Sequence, residues 1–181
     1  KASHDGRSFE GCRAGFPFPI PGNGIEAMWN HLVRFGGLAY EVDYSNWNVD
    51  ASGRPAMSSQ GRMVEEFTYW NPAATDLETL FRRRIDYTGP ARRAGDALLV
   101  IEPLSFADHG RRAWQYLPGT RRLLTAPDLT FDTPIPSAAG NSTYDDANVF
   151  SGSMERYHFR LAGKKEMYIP YNAYRMAYGS T

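Results

Sequence analysis

A predicted β-hairpin around Pro118 and Gly119 constrains the fold of this chain more than any other sequence feature. Trp114 and Tyr116 alternate with smaller or more polar side chains, as in a half-buried strand. Pro118 and Gly119 suit the two central positions of a type II turn, and an apolar strand resumes at Leu123. Strands joined by so short a connection run antiparallel. The hairpin therefore predicts an antiparallel sheet.

Much of the remaining chain also has the character of short strands. Phe81 and Ile85 belong to a stretch in which apolar and charged residues alternate, although Arg83 falls among the apolar positions. These patterns predict antiparallel strands over residues 38–125 and C-terminal strands within residues 149–181. The individual segments are residues 38–49, 63–70, 81–87, 97–104, 112–125, 157–161 and 167–171.

One amphipathic helix is predicted over residues 23–36, after an extended lead-in of residues 1–22. Three prolines at alternate positions keep the end of the lead-in extended. Asn23 is suited to cap the helix, with Glu26 three positions later as in a capping box, and a pair of glycines ends it. The apolar face has helical spacing and consists of Ile25, Met28, Trp29, Leu32 and Val33.

Length and loop pattern together predict a single domain. A chain of 181 residues buries enough surface to form a core without disulfides or metals. Residues 126–148 are rich in polar residues and proline without periodicity, which predicts a long loop of the kind that forms lids. Because the chain starts at Lys1 rather than Met, we expect a piece of a longer protein. The expected fold is mainly β, of the α+β type, with a curved antiparallel sheet packed against the helix.

Charge and composition argue against several classes of function. Twenty Lys and Arg residues balance twenty Asp and Glu residues, so no overall basic field attracts nucleic acid. Cys12 is the single cysteine, which excludes an internal disulfide and a zinc site built from several thiolates. The four histidines lack the spacing of a metal-ligand pair. No apolar run is long enough to span a membrane. We therefore expect no metal, no other cofactor and no nucleic-acid partner.

Two groups of residues carry the ingredients of catalysis. Ser105, Asp108 and His109 have the side chains of a hydrolytic triad, but they are nearly adjacent in sequence, and a polar turn between strands explains them better. The acidic residues within 128–146 offer paired carboxylates or a calcium site, although capping or pairing with arginines explains them better. An enzyme that uses this loop is the third hypothesis, and a non-catalytic protein is the expectation.

Arginines cluster on both sides of the predicted hairpin turn. Arg111 and Arg112 precede the first strand, and Arg121 and Arg122 follow the turn. Such clusters are usually solvated strand faces, but converging arginines also dock an acidic partner or a phospholipid head group. These four residues are therefore candidates for docking. Further basic clusters occur at residues 82–84 and 92–93.

Three long strings of residues resemble a known family. They are GFPFPIP at residues 15–21, GIEAMWNH at residues 24–31 and GKKEMYIPYN at residues 163–172. The strings are similar to the bacterial envelope family catalogued as Domain of Unknown Function 1329, and the resemblance covers nearly the whole chain. Chains of that family are longer at both ends, which agrees with this chain being a central piece. The family has no established reaction, so it implies no catalytic residues.

A second, looser similarity lies in WQYLPGTRRL at residues 114–123 and TYDD at residues 143–146. It resembles the Lol-type periplasmic carriers that sort outer-membrane lipoproteins. Those carriers fold as an incomplete antiparallel barrel, lidded by helices, whose concave side shelters acyl chains from water. The resemblance implies this fold, a periplasmic location and a lipid or other hydrophobic ligand. It also implies a place beside an envelope transport complex, such as an export pump of the resistance-nodulation-division type.

A hydrophobic cavity is the expected site of such a protein. An open curved sheet exposes apolar side chains unless the helix or a ligand covers them. The leading hypothesis is a non-catalytic carrier that buries its ligand under the helix. The alternative is a protein–protein docking module with a filled core, an exposed strand edge and no small ligand. The candidate lining residues, each equally well explained as core, are Trp29, Leu32, Phe67, Ile85, Val100, Trp114, Tyr116 and Leu123.

Overall fold

The computed structural model describes residues 1–127, 129–173 and 175. Over these residues the chain forms one α-helix and one six-stranded sheet, with two short 3-10 turns at Thr68–Trp70 and Pro136–Ala138. The elements are α1 (Gly24–Leu32), β1 (Ala39–Val49), β2 (Pro55–Glu66), β3 (Thr79–Gly89), β4 (Ala97–Pro103), β5 (Arg112–Leu117) and β6 (Arg122–Thr125).

The sheet is an antiparallel meander. Its strands lie in the order β1-β2-β3-β4-β5-β6, so each strand pairs with its neighbours in sequence. The sheet is open and curled, with β1 and β6 at its edges. This architecture confirms the prediction of a mainly β fold with an antiparallel curved sheet and one helix.

The two faces of the sheet are distinguished by the register of the strands. Ile85, Val100 and Ala113 point to one side, which we call the inner face, because paired residues of neighbouring strands share a face. Leu99 and Trp114 are paired on the opposite side, the outer face. The helix, the N-terminal segment and the segment after β6 all pack on the inner face.

Helix α1 begins as its sequence predicts. The side chain of Asn23 accepts a hydrogen bond from the Glu26 backbone N–H at 3.0 Å, as an N-cap does. The Glu26 carboxylate accepts from the backbone N–H of Gly22 at 2.7 Å, one residue earlier than in the standard capping box. The first bond satisfies a backbone donor that the first turn of a helix would otherwise leave unpaired, and the second satisfies the donor of the residue before the N-cap.

The helix ends at Leu32, earlier than the predicted residue 36. The Arg34 N–H bonds to the His31 carbonyl oxygen at 3.3 Å, a tighter closure than a continuing α-helix makes. The indole N–H of Trp70 donates to the Val33 carbonyl oxygen at 2.7 Å, which occupies the acceptor that a further turn would use. A tertiary contact therefore stops the helix before the glycine pair.

The densest part of the core lies at one end of the sheet. Helix α1 packs there against the beginning of β3 and the first 3-10 turn, and Trp29 is fully buried. The N-terminal segment completes this core, and it is irregular rather than simply extended, because Ala2 and Phe9 form a β-bridge. The buried cluster consists of Trp29, Val33, Tyr69, Leu80, Phe81, Phe106 and Met154.

Two expectations about strand positions are corrected. Strand β2 begins at Pro55 rather than at residue 63, because its pairing with β1 continues almost to the turn at Gly53. The predicted C-terminal strands at residues 157–161 and 167–171 are irregular, and Tyr168 and Tyr171 are exposed. Strand-forming residues alone do not make a strand when no sheet edge lies alongside to pair with their backbone.

The β5–β6 hairpin is confirmed, with a turn one residue later than predicted. The Arg121 N–H donates to the Pro118 carbonyl oxygen at 3.2 Å, and Arg121 has a φ of 52°. Arg121, not Gly119, therefore takes the left-handed conformation, and the predicted type II turn is wrong. The segment after β6 is a long loop as expected over its described residues, with a β-bridge between Pro134 and Thr143, and Asp128 lies outside the described residues.

Candidate ligand-binding cavity

A cavity of about 520 Å³ lies on the inner face of the sheet. Its floor is formed by apolar side chains of β3 and β4, among them Ile85, Leu98 and Val100. Its cover is formed by side chains from residues 129–151, not by α1. The volume falls within the roughly 300–1,000 Å³ typical of small-molecule sites. The loop that follows the sheet therefore takes the covering role that the sequence predicts for the helix.

The rim of this cavity is polar and uncharged. Serine and asparagine side chains from β1, β2 and the covering loop surround the apolar floor. The Asn48 carboxamide donates to the Ala138 carbonyl oxygen at 3.3 Å, which ties β1 to the cover. A bulge between Asn46 and Trp47 brings consecutive residues of β1 to the rim, which strict alternation forbids. The polar rim residues are Ser45, Asn46, Asn48, Ser137, Asn141 and Ser142, and the buried Ser58 and Ser151 also line the cavity.

Two buried ion pairs cross the inner face beside the cavity. Arg83 pairs with Glu65 of the neighbouring strand, and Arg111 pairs with Glu102. The exposed fractions of the Glu65 and Glu102 side chains are 1% each, and that of Arg111 is 6%. Burial of a charge is costly unless the charge is paired and hydrogen-bonded. The Arg83 position that breaks the sequence alternation is thus explained by a partner on β2.

Arg111 also holds the covering loop in place. Its Nη1 donates to the Leu129 carbonyl oxygen at 2.8 Å, and its Nη2 lies 3.3 Å from the Ser151 hydroxyl oxygen. Both partners belong to residues 129–151, while Glu102 belongs to β4. One buried guanidinium therefore connects the sheet to both ends of the cover.

The ion pairs separate the large cavity from a smaller one. The guanidinium groups of Arg83 and Arg111 line the cavity of about 520 Å³, whereas Glu65 and Glu102 line a cavity of about 130 Å³ between α1 and the sheet. Phe81 contributes to both. The helix thus closes only the smaller compartment.

A hollow of about 410 Å³ adjoins the large cavity beside the β3–β4 turn. Arg92 and Arg93 line this hollow together with Asp96. The guanidinium carbon of Arg93 lies 4.2 Å from the centre of the Tyr87 ring, a cation–π contact. Tyr87 lines both spaces, and so do Leu98, Leu129, Ser137 and Tyr144. The hollow is therefore adjacent to the cavity, and we call it the mouth.

A groove of about 750 Å³ lies elsewhere, between the N-terminal segment and the start of α1. Its lining includes Lys1, Glu10 and Glu26 and does not include the strands of the sheet. A groove lined by charged groups suits a hydrophobic ligand poorly. The inner-face cavity is the better candidate.

Titratable groups near the cavity respond to burial. Burial raises the pKa of Tyr144, a lining residue of the cavity, to about 12. Burial also raises the pKa of Asp145, while the Tyr157 hydroxyl, which donates to its carboxylate, and the charge of Arg111 oppose that rise. The Asp145 side chain does not line the cavity. Its contact with Tyr157 joins the covering loop to the C-terminal segment.

The predicted lining residues separate into four groups. Ile85 and Val100 line the large cavity, and Leu32 and Phe67 line the smaller one. Trp29 is core, with no exposed surface. The expectation is corrected for the three residues of the hairpin, which lie on the outer face because their register partners do. They are Trp114, Tyr116 and Leu123.

The predicted docking arginines do not converge on one surface. Arg111 is buried in its pair with Glu102, whereas Arg112, Arg121 and Arg122 are exposed. The two neighbouring arginines differ in exposure because their side chains point in different directions. Arg111, just before β5, reaches the covering loop, whereas Arg112 is paired with Ile101 on the outer face. The basic pair at residues 92–93, visible in the sequence as a cluster, is the one that lies at the cavity mouth.

The other chemical candidates form local structure. The Ser105 hydroxyl donates to the Asp108 carboxylate at 2.8 Å within an exposed turn, as the polar-turn interpretation expects. Asp146 accepts from the Thr143 backbone N–H at 2.8 Å, a local turn contact. Over residues 1–127, 129–173 and 175, no three His, Cys, Asp or Glu side chains come together as a metal site would require. Nor does any helix in these ranges have the length and apolar character needed to cross a bilayer.

Comparison with known proteins gives a family and a fold. Residues 1–181 match the family described as "Protein of unknown function (DUF1329)". The chain is 34% identical over 186 residues to "Uncharacterized protein PA3922" of Pseudomonas aeruginosa, and the match covers 97% of this chain and 39% of that protein. A putative outer membrane lipoprotein-sorting protein domain from Vibrio parahaemolyticus has a similar fold. The TM-score is 0.51 at 16% sequence identity, over 74% of this chain and 50% of that one.

Proposed function

Because the chain belongs to the DUF1329 family, for which no function is established, we propose a role from the site itself: binding and carriage of a lipid or other hydrophobic molecule, without covalent chemistry. The observation that carries the proposal is the cavity of about 520 Å³ with an apolar floor and a neutral polar rim. A folded protein keeps such a space open between a sheet and a loop at a cost in packing, which a bound ligand offsets.

The polarity of the lining supports a hydrophobic ligand with a modest polar part. The charges of Arg83 and Arg111 are neutralised by Glu65 and Glu102, so the inner part of the cavity carries little net charge. Apolar contact then supplies most of the affinity, at about 25 cal/mol per Å² of buried apolar surface. Hydroxyl and amide groups at the rim orient the ligand.

The fold comparison supports an envelope role. The similar Vibrio domain is described as a putative outer membrane lipoprotein-sorting protein domain, and its fold resembles that of this chain with a TM-score of 0.51. We extend the proposal to a periplasmic location and to exchange of the ligand with an envelope transport complex. The chain spans 39% of the length of its Pseudomonas relative, so the proposal concerns the cavity and not the remainder of the protein.

Co-purification tests this proposal with a matched pair of variants. Val100 lies on the cavity floor, and Leu99, its neighbour on β4, points to the outer face. Val100→Trp should fill the cavity, whereas Leu99→Trp should leave it open. The intact protein is purified gently from its own host, analysed by native mass spectrometry, and extracted for lipid analysis.

We expect a stoichiometric ligand on the unmodified protein and on Leu99→Trp, and at least a tenfold lower occupancy on Val100→Trp. Circular dichroism checks that both variants are folded. A ligand retained by folded Val100→Trp would place binding elsewhere. An empty protein that also takes up no fluorescent fatty acid would contradict the carrier role.

Strand β6 favours a second candidate, a docking module for a protein partner. Its four residues are all exposed at the edge of the sheet, and the exposed fraction of the Leu123 side chain is 67%. An unpaired edge accepts an added strand from a partner. Leu123→Lys should then abolish partner capture while ligand occupancy is unchanged, as judged by crosslinking in cells.

A further inference from the structure

We propose that the ligand is an anionic amphiphile whose acidic group is bound by Arg93, with Arg92 beside it, at the mouth of the cavity, while its apolar part occupies the floor around Val100. The inference deepens the proposed function and rests on it. The acidic group is a carboxylate or a phosphate, since a guanidinium binds either with two parallel hydrogen bonds.

The first observation is the distribution of charge along the cavity. The inner arginines, Arg83 and Arg111, each have a buried glutamate as a partner. At the mouth two arginines, Arg92 and Arg93, face the single carboxylate of Asp96. The uncompensated positive charge therefore lies at the mouth and not in the interior.

The second observation is the state of Arg93 itself. Its side chain is only 14% exposed, and its Nη2 lies 3.9 Å from the Asp96 carboxylate, too far for a hydrogen bond. Its Nε is buried without a hydrogen-bond partner among the described residues. A buried charged donor without an acceptor costs free energy, which an incoming anion would recover. Stacking on Tyr87 holds the guanidinium in position for that anion.

The third observation is that the two spaces are adjacent and share lining residues. Tyr87 and Leu98 line both the cavity floor and the mouth, and Leu129, Ser137 and Tyr144 cover both. An acidic group at Arg93 is therefore separated from the apolar floor around Val100 only by side chains that line both spaces. A charge at one end and an apolar floor next to it are the two features that an anionic amphiphile needs.

The test compares acids with a neutral analogue of the same chain. The delipidated intact protein is titrated with oleate, with 1-oleoyl lysophosphatidic acid and with oleyl alcohol, by displacement of a fluorescent apolar probe. We expect at least one acid to bind about tenfold more tightly than the alcohol, as charge-assisted hydrogen bonds allow. The tighter acid identifies the head group as carboxylate or phosphate.

Three variants test whether the difference in affinity between the acids and the alcohol arises at the mouth of the cavity. Arg93→Gln should remove most of the preference for the acid and leave the affinity for the alcohol unchanged. Arg93→Lys, which keeps the charge, should retain part of the preference. Arg112→Gln, on the outer face, should match the unmodified protein in all three titrations. Thermal unfolding checks that each variant is folded.

Three results would overturn the inference. The first is that the unmodified protein binds the two acids and the alcohol with equal affinity. The second is that Arg93→Gln loses affinity equally for all three compounds. The third is that the protein binds inorganic phosphate, which has no acyl chain, as tightly as it binds the oleyl compounds. In the first two cases the carrier role would stand, because apolar ligands still bind. If none of the three oleyl compounds bound, the proposed function itself would fail.

Discussion

Arg111 donates hydrogen bonds through Nε and Nη2 to the two carboxylate oxygens of Glu102, and the exposed fractions of the two side chains are 6% and 1%. The same guanidinium bonds to residues at both ends of the cavity cover. The pair therefore combines two roles, because it neutralises a buried carboxylate and fixes the loop that closes the cavity.

Arg111→Met should strongly destabilise the protein. It leaves the Glu102 carboxylate buried without its counter-charge, and loss of one partner of a buried pair costs about 3–5 kcal/mol. Urea unfolding measures the change. The double variant Arg111→Met with Glu102→Leu should recover much of the loss, because an apolar pair of similar volume carries no buried charge. A double variant no more stable than the single one would show that anchoring of the cover, not charge, dominates.

His31 should make stability depend on pH. Its Nε2 donates to the Phe150 carbonyl oxygen at 3.2 Å, and burial, followed by the nearby charge of Arg34, lowers its pKa below 6.5. Around and below pH 6.5 the unfolded chain therefore takes up a proton that the folded protein resists, and the free energy of unfolding falls as pH decreases. Urea midpoints at pH 7.5 and 5.5 should differ less for His31→Gln than for the unmodified protein. Replacement of the exposed His158 by Gln should leave the difference unchanged.

Gly24→Ala should cost about 1–3 kcal/mol, the usual penalty for an inserted methyl group in a packed site. A Cβ at this first helical residue would meet the Phe159 carbonyl group, which is backbone and cannot rotate away. Gly22→Ala is the matched control, because its Cβ would make an ordinary 3.5 Å contact with the Glu26 carboxylate. Equal thermal stability of the two variants would mean that the backbone at Phe159 moves to accommodate the added methyl group without lowering the free energy of unfolding.

Asn48→Leu should speed ligand release. The Asn48 carboxamide donates to the Ala138 carbonyl oxygen and ties the rim of β1 to the cover. Loss of a hydrogen bond worth about 1 kcal/mol should raise the dissociation rate of a bound fluorescent fatty acid roughly fivefold. Ser52→Ala, in the exposed β1–β2 turn, serves as the control for stopped-flow measurements. Unchanged release from Asn48→Leu would indicate that the ligand leaves by another route.

The sequence predicts the order and direction of the strands well, because turns and alternation are local properties. It does not predict which side of a strand becomes the inside. Trp114 and Tyr116 have the apolar character of cavity residues, but Ala113, the residue before Trp114, is the one that faces inward, since the register with Val100 sets the face. The curl of the whole sheet decides that choice, and no single hairpin contains the information.

The sequence also does not predict which charged residues become buried. Arg83 looks like a flaw in an alternating strand until its partner Glu65, from another strand, is known. Arg111 and Arg112 are adjacent and chemically identical, yet one is buried and the other exposed. The difference arises because Arg111 contacts Glu102 and the segment after β6, and these contacts form only when the chain has folded. The sequence does predict a long, lid-like loop over residues 126–148, but not that this loop rather than the helix covers the large cavity, because that depends on tertiary contacts.

The meander order of the strands also bears on how the cavity is assembled during folding. Each strand pairs only with strands adjacent in the chain, so the sheet can grow by successive hairpins with little loop entropy to overcome at each step. The covering segment follows β6 and contacts strands from across the sheet. The floor of the cavity is therefore expected to form before the covering segment packs on it, and the apolar side chains of β3 and β4 are exposed to solvent during that interval.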